Sequence, residues 1–345
     1  MSGKTFVVTG GTSGIGLKTA SLIVQDPGFD RVIITSRSSS RGQATVDMLA
    51  THTGDNSKVK ISYIMLDLDN PLSCLEAASK LPEPGVDVLI LSAGSVKLSD
   101  FNRLNPQLEL TPAYCSSVLG HAIFIEEAIK LGRVKEGARV ICSGGELQRS
   151  VPLFTGFQPY PKTHLRWKSH YKVFPYTAPY GYTKVRSLIA GMQNYLTYLS
   201  IFINKLGREN PNIYFVSVSP GGTATGFYTG FPQPLKCLVS NFSLLFRCVG
   251  VFHSLDAAAD RFLAAATDPT FEEKYKTGSL VASPYKFPWY WGATGPLTDN
   301  TEYCPELKDR DLQDKIAKFI RYYTKKAIEI GEKEKLEGKV FIVTS

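Results

Sequence analysis

Tyr180 and Lys184 stand four positions apart in the run Tyr180-Gly181-Tyr182-Thr183-Lys184. On a helix that spacing puts both side chains on one face, a turn apart. A free tyrosine, with a pKa of about 10, is a reluctant proton donor or acceptor at neutral pH. A lysine ammonium beside it lowers that pKa and steadies the phenolate. Such a pair suits a reaction that leaves an oxyanion in need of a proton, and hydride transfer to a carbonyl is one. Tyr182 is no substitute, because it lies two residues from Lys184 and faces elsewhere. Alone, an i, i+4 Tyr/Lys pair is as readily an exposed helix contact. The elements around it decide.

Those elements begin at the N-terminal end. Thr5-Phe6-Val7-Val8-Thr9 is a short apolar, β-branched run and reads as a buried parallel strand. Gly10, Gly11, Gly14 and Gly16 follow at once, and Leu17–Val24 reads as a helix. Strand, glycine turn and helix make the first unit of a dinucleotide-binding fold. Glycine lets backbone approach a pyrophosphate, and the helix N-terminus offers it free N–H groups. Gly10, Thr12, Ser13, Gly14, Ile15 and Gly16 are the expected phosphate-side contacts.

A second strand, Arg31–Thr35, leads to Ser36 and Arg37. An NAD site usually has an acid here for the ribose hydroxyls. Arg37, with Arg41 nearby, could instead clamp a 2′-phosphate through planar, charge-assisted hydrogen bonds. NADP(H) is therefore the expected cofactor. Two further strands, Lys60–Leu66 and Val86–Leu91, end in Asp67-Leu68 and Ser92-Ala93-Gly94. The carboxyl ends of such strands form the crevice in which open α/β sheets bind ligands.

Taken in order, these motifs resemble the short-chain dehydrogenase/reductase family. Thr9-Gly10-Gly11-Thr12-Ser13-Gly14-Ile15-Gly16 is similar to its TGxxxGxG signature, and Tyr180 to Lys184 matches YxxxK. Asp67-Leu68 resembles the family's adenine-contacting position, and Ser92-Ala93-Gly94 its Asn-Ala-Gly ending. Pro220-Gly221, with Thr223 close by, resembles the Pro-Gly after the next strand. The resemblance covers roughly residues 3–285, loosely after Gly226. It implies an α/β, Rossmann-type, doubly wound parallel sheet with helices on both faces. It also implies that Lys184 binds the nicotinamide ribose, and a homodimer built through the helix Tyr182–Leu206. The order of the later segments is similar to the retinol dehydrogenase and protochlorophyllide oxidoreductase branch. However, Gly222 stands where the light-driven enzymes carry a cysteine.

Other positions depart from the pattern. The strand Arg139–Cys142 ends in Ser143-Gly144-Gly145. Aligned on the strand, Ser143 takes the first place of a common serine pair and Gly144 the second, which is often the catalytic one. Ser143 is the expected partner of the substrate oxygen. Ser117, in Ser117-Val118-Leu119-Gly120, replaces the family's helix asparagine, and Ser92 replaces another. These changes bear on turnover, not on cofactor binding.

The gap from Ser143 to Tyr180 is longer than usual. An insertion at about 151–179 brings Phe154, Phe157, Tyr160, Trp167, Tyr171, Phe174 and Tyr176 together with Lys162, Arg166, Lys168 and Lys172. Beside a nicotinamide, such a segment would form an aromatic, basic wall around a large lipophilic substrate. The resemblance implies that the segment at about 226–254, apolar from Leu235 to Phe252, covers that substrate, with a buried helix pair and a membrane-surface helix as the alternatives.

Composition sets the outer bounds. With 43% hydrophobic and 20% charged residues, the chain is globular rather than disordered. Residues 1–303 are expected to form one domain, followed by a peripheral helical tail at 304–345 that ends in an extra strand. The six cysteines show no zinc spacing and suit a reducing, cytoplasmic setting. No metal site is expected. The net charge is +8, and between Leu147 and Leu255 one acid, Glu209, faces eleven Lys/Arg. No nucleic-acid motif accompanies that charge. It fits a cofactor phosphate, an anionic substrate or peripheral contact with a membrane surface. The expected function is carbonyl–alcohol interconversion on a bulky lipophilic substrate. The alternative is an NADPH-binding regulatory or scaffold protein with weak turnover.

Overall fold

Runs of β-branched and aliphatic residues become strands wherever both faces of a sheet are to be covered. The computed structural model describes residues 3–54, 56, 58–94, 105–145, 148, 180–221, 223, 254–284 and 295–337, excepting the side chains of 180–194. In it the strands are β1 (Lys4–Val8), β2 (Phe29–Ser36), β3 (Lys60–Met65), β4 (Val86–Leu91), β5 (Val134–Ser143), β6 (Tyr214–Val218), β7 (Leu280–Ala282) and β8 (Thr298–Asp299). They form one sheet in the order β3-β2-β1-β4-β5-β6-β7-β8. All neighbours are parallel except β7 and β8. The expected doubly wound sheet is present, with one antiparallel edge strand added. Chain order reverses between β1 and β4, where Val7 lies between Ile33 and Leu89. That reversal opens a crevice at the strands' carboxyl ends.

Helices cover both faces. On one side lie α1 (Gly14–Ile23), α2 (Ser39–Ala50) and α6 (Leu255–Thr267). On the other lie α3 (Pro71–Ser79), α4 (His121–Lys130), α5 (Tyr180–Glu209) and α7 (Arg310–Leu336). Strand alternation sorts the two cores. Phe6 and Val8 pack with Ala20, Ile23 and Phe262, while Val7, Leu89 and Leu91 pack with Phe124, Phe202 and Ile316. Local chemistry starts the helices. Asn70 accepts from Leu72 N and Ser73 N ahead of Pro71, and Ser254 accepts from Ala257 N.

The chain enters α4 through a short turn, Pro112–Tyr114, and a π-helical turn, Cys115–Gly120. Such turns widen the helix locally and often mark function. Gly120 ends this one against the chain leaving β3. A Cβ there would collide with the Leu68 carbonyl oxygen and sit 2.8 Å from Leu68 Cβ. Backbone cannot yield as a flexible side chain does. Gly120→Ala is therefore expected to cost about 1–3 kcal/mol by overpacking, read as a lower denaturant midpoint. An unchanged midpoint would show that Leu68 moves aside freely.

The tail differs from expectation. Instead of lying peripherally, α7 packs on α3, α4 and α5 and contributes Leu312, Ile316, Ala317, Ile320 and Ala327 to the core. Sequence charge masked this amphipathic helix, whose buried positions recur at helical spacing. Asp309 caps it by accepting from Leu312 N at 3.0 Å. Arg321 donates to Glu126 on α4 at 2.7 Å and to Glu209 on α5. Phe319 meets Tyr114, whose ring also contacts Tyr195 and Tyr198 of α5. The insertion at 151–179, the segment at 226–254 but for Ser254, and the terminal strand lie outside the described residues.

Candidate functional site

The glycine turn leaves β1 at the point where the sheet order reverses. Gly10 adopts φ 72°, and a Cβ on it would come 2.9 Å from Ala93 Cα. Only glycine allows the turn to approach the end of β4 so closely. Gly14 has φ 57° and faces open space, whereas a Cβ on Gly16 would meet Gly10 O at 2.7 Å. Ser13 is the N-cap of α1, yet its side chain makes no capping bond. The first N–H groups of α1 thus keep their capacity for an anion. Thr12 and Ile15 are half-buried beside them.

Thr9 locks this turn to β4. Its hydroxyl oxygen accepts from Ser92 N at 2.9 Å and from Ala93 N at 3.0 Å. It also lies 3.1 Å from Nε2 of His121, a residue that motif reasoning passed over. His121 Nδ1 is 3.0 Å from the Ser117 carbonyl oxygen. The one available signal was a lone histidine in the apolar run from Val118 to Ile125, four residues after Ser117. Burial pushes the His121 pKa down to about 4 from 6.5. The unfolded chain therefore binds the proton first. This contribution to stability is complete above pH 6.5 and is lost as pH falls from there towards 4. Between pH 7 and pH 5 the expected loss is about 2 kcal/mol, measured by denaturant unfolding. His121→Phe should remove that part of the slope, and an identical slope in the variant would refute its origin in this ring.

The other expected residues fall at or just past the carboxyl ends of neighbouring strands. Arg37 is exposed just past β2, where the Ser36 hydroxyl donates to Ser38 O at 2.7 Å and shapes the turn. Arg41 is exposed on the first turn of α2. Asp67 is half-buried after β3, with Oδ1 accepting from Asp69 N at 3.1 Å, and Leu68 is buried beneath Gly120. Gly94 is exposed beyond Ser92 and Ala93. The ends of β3, β2, β1 and β4 that carry these groups are neighbours in the sheet, at the reversal point where open α/β sheets receive nucleotides.

The catalytic candidates fall on β5, the π-turn and the start of α5. Ser143 ends β5, half-buried and paired with Val218 on β6. Ser117 is half-buried in the π-turn. Tyr180 and Lys184 occupy the first turns of α5, and their side chains lie outside the described residues. After β6, Gly221 has φ 79° and donates to Ser219 Oγ at 3.1 Å, while the Thr223 hydroxyl donates to Gly221 O at 3.1 Å. Pro220 lies between them, half-buried.

Arg261, also missed from sequence, holds this loop from below. It donates to Ser219 O and Gly295 O, each at 3.1 Å, and to Ser283 Oγ. An arginine within an alanine-rich helix was the signal. Among the described residues no cluster could hold a metal ion, and no helix is long and apolar enough to cross a membrane.

Known proteins share this fold. Residues 4–143 match the family model for short chain dehydrogenase. The chain is 32% identical over 125 residues to the short chain dehydrogenase yanD of Aspergillus niger, a match covering 34% of this chain and 38% of that protein. The chain thus spans little more than a third of that relative's length. It is 24% identical over 278 residues to the short chain dehydrogenase/reductase dpfgH of Gibberella zeae, covering 79% of this chain and 72% of the relative. A short-chain type dehydrogenase/reductase from Mycobacterium ulcerans superposes with TM-score 0.54 at 14% identity, over 80% of this chain and 86% of the other. At that identity the likeness concerns the fold. With β1 to β5 and the glycine turn accounted for, residues 4–143 are similar to the short-chain dehydrogenase/reductase family.

Proposed function

We propose that the protein is an NADP(H)-dependent oxidoreductase that interconverts a carbonyl and an alcohol on a bulky lipophilic substrate. The observation that carries this is the glycine turn, fixed to the end of β4 through Thr9 and opening at the reversal point of the sheet. A bound nicotinamide dinucleotide would supply or accept the hydride. The chain's own residues do the rest. Gly10, Thr12, Ser13, Gly14, Ile15 and Gly16 would cradle the pyrophosphate, with Asp67, Leu68, Ser92, Ala93 and Gly94 along the adenosine side and Pro220, Gly221 and Thr223 at the nicotinamide end. Arg37 would clamp the 2′-phosphate. Tyr180 would give a proton to the substrate oxygen or take one, and Lys184 would hold the tyrosine's pKa down and bind the ribose. Ser143 would orient the substrate oxygen.

The lipophilic substrate rests on the aromatic residues of 151–179 and on the apolar run after Phe227. The same run and the basic balance are the grounds for peripheral membrane contact. Cys74, Cys115, Cys142 and Cys304 are free thiols, in keeping with a reducing, cytoplasmic setting. The homodimer through α5 rests on the family resemblance; within the chain, α7 packs along the C-terminal part of α5, with Arg321 on Glu209 and Lys205 on Asp314.

The test is NADPH consumption with a panel of lipophilic ketones, aldehydes and quinones. Turnover on a member of the panel supports the proposal. Tight NADPH binding with no turnover on any carbonyl would favour the second reading, a nucleotide-binding regulatory protein. Ser92 and Ser117, in place of the family's asparagines, motivate that reading.

A further inference from the structure

His121 is 1% exposed and belongs to none of the motifs above. Its hydrogen bonds fix its protonation by counting. A threonine hydroxyl has two lone pairs and one proton. The N–H groups of Ser92 and Ala93 occupy both lone pairs of Thr9 Oγ1. The hydroxyl proton is therefore left for His121 Nε2, 3.1 Å away, which must accept it. Nδ1 then carries the ring's hydrogen and donates it to Ser117 O at 3.0 Å. The ring is neutral, with Nδ1 protonated, and every polar atom in the chain of contacts has a partner.

Three segments meet through the pair Thr9 and His121: the end of β1 at the glycine turn, the end of β4 bonded to the Thr9 hydroxyl, and the π-turn carrying Ser117 bonded to the ring. Their separation matters most at Gly10, which leaves only 2.9 Å between an added Cβ and Ala93 Cα. A small displacement of Ala93 changes the floor on which a dinucleotide would lie. We propose that His121 is a positioning residue, whose neutral imidazole locks the ends of β1 and β4 and the Ser117 turn into the arrangement that receives the nucleotide. This rests on the nucleotide reading of the crevice.

The test is titration of NADPH into wild type, His121→Phe and His121→Gln, each well below its unfolding temperature and folded by circular dichroism. Phenylalanine keeps the ring and removes both bonds. Its dissociation constant should rise roughly 10- to 100-fold, as expected for buried partners left unmade. Glutamine presents an acceptor and a donor about as far apart as the two ring nitrogens and should return the affinity to near the wild-type value. A folded His121→Phe with unchanged affinity would make the ring merely structural and overturn the proposal, as would a His121→Gln as weak as His121→Phe. Should His121→Phe fail to fold, Thr9→Val against Thr9→Ser reads the same lock from its other end. Weak binding by the valine variant alone is expected, and equal affinities overturn the proposal. A wild type that binds neither NADPH nor NADH would refute the nucleotide reading instead.

Discussion

Tyr180→Phe is expected to lower kcat by about 10²- to 10⁴-fold, the usual contribution of a positioned acid–base group. The NADPH dissociation constant should change little by comparison. The substitution removes one hydroxyl and keeps the ring, so the first turn of α5 keeps its register. Tyr182→Phe is the control, because Tyr182 lies two residues from Lys184 and leaves the helix in another direction. Steady-state kinetics with a lipophilic carbonyl, beside a binding titration, separate the two effects. Equal turnover in wild type and Tyr180→Phe would remove the tyrosine from the chemistry.

Arg37→Asp should reverse the nucleotide preference. Arg37 is exposed directly after β2, where a dinucleotide's adenosine ribose would lie. Hydrogen bonds to a charged partner contribute about 1.5–3 kcal/mol, so losing them weakens NADPH by roughly 10- to 100-fold. Placing a carboxylate there adds repulsion against a 2′-phosphate. The same carboxylate can accept from both hydroxyls of a plain ribose, so NADH should bind as well as before or better. Dissociation constants for both nucleotides check this. Equal losses would show that Arg37 is an exposed loop arginine and nothing more.

Much of this was legible because the signals are local. Apolar runs at Thr5–Thr9, Arg31–Thr35, Lys60–Leu66 and Val86–Leu91 fall on four strands of the sheet, to within a residue or a few at each end. The glycines at 10, 14 and 16 sit where positive φ or close approach demands them. What escaped depends on contacts between distant parts of the chain. His121 acquires its role from Thr9, 112 positions away, and no local pattern encodes that. Arg261 likewise reaches back to Ser219 and forward to Gly295. The charges that dominate the composition of helix α7 point to a peripheral tail. Its buried stripe gains meaning only from the apolar faces of α4 and α5 that it meets. The π-turn at Cys115–Gly120 was invisible for a related reason, since no local pattern in Cys-Ser-Ser-Val-Leu-Gly tells a π-turn from an α-helical one, and Gly120 lies against Leu68, far off in sequence.

The most direct measurement is a calorimetric titration of NADPH and NADH into the wild-type chain. A crevice built from the glycine turn, the end of β4 and Arg37 predicts saturable binding at one site per chain, tighter for NADPH. No binding of either nucleotide would contradict it.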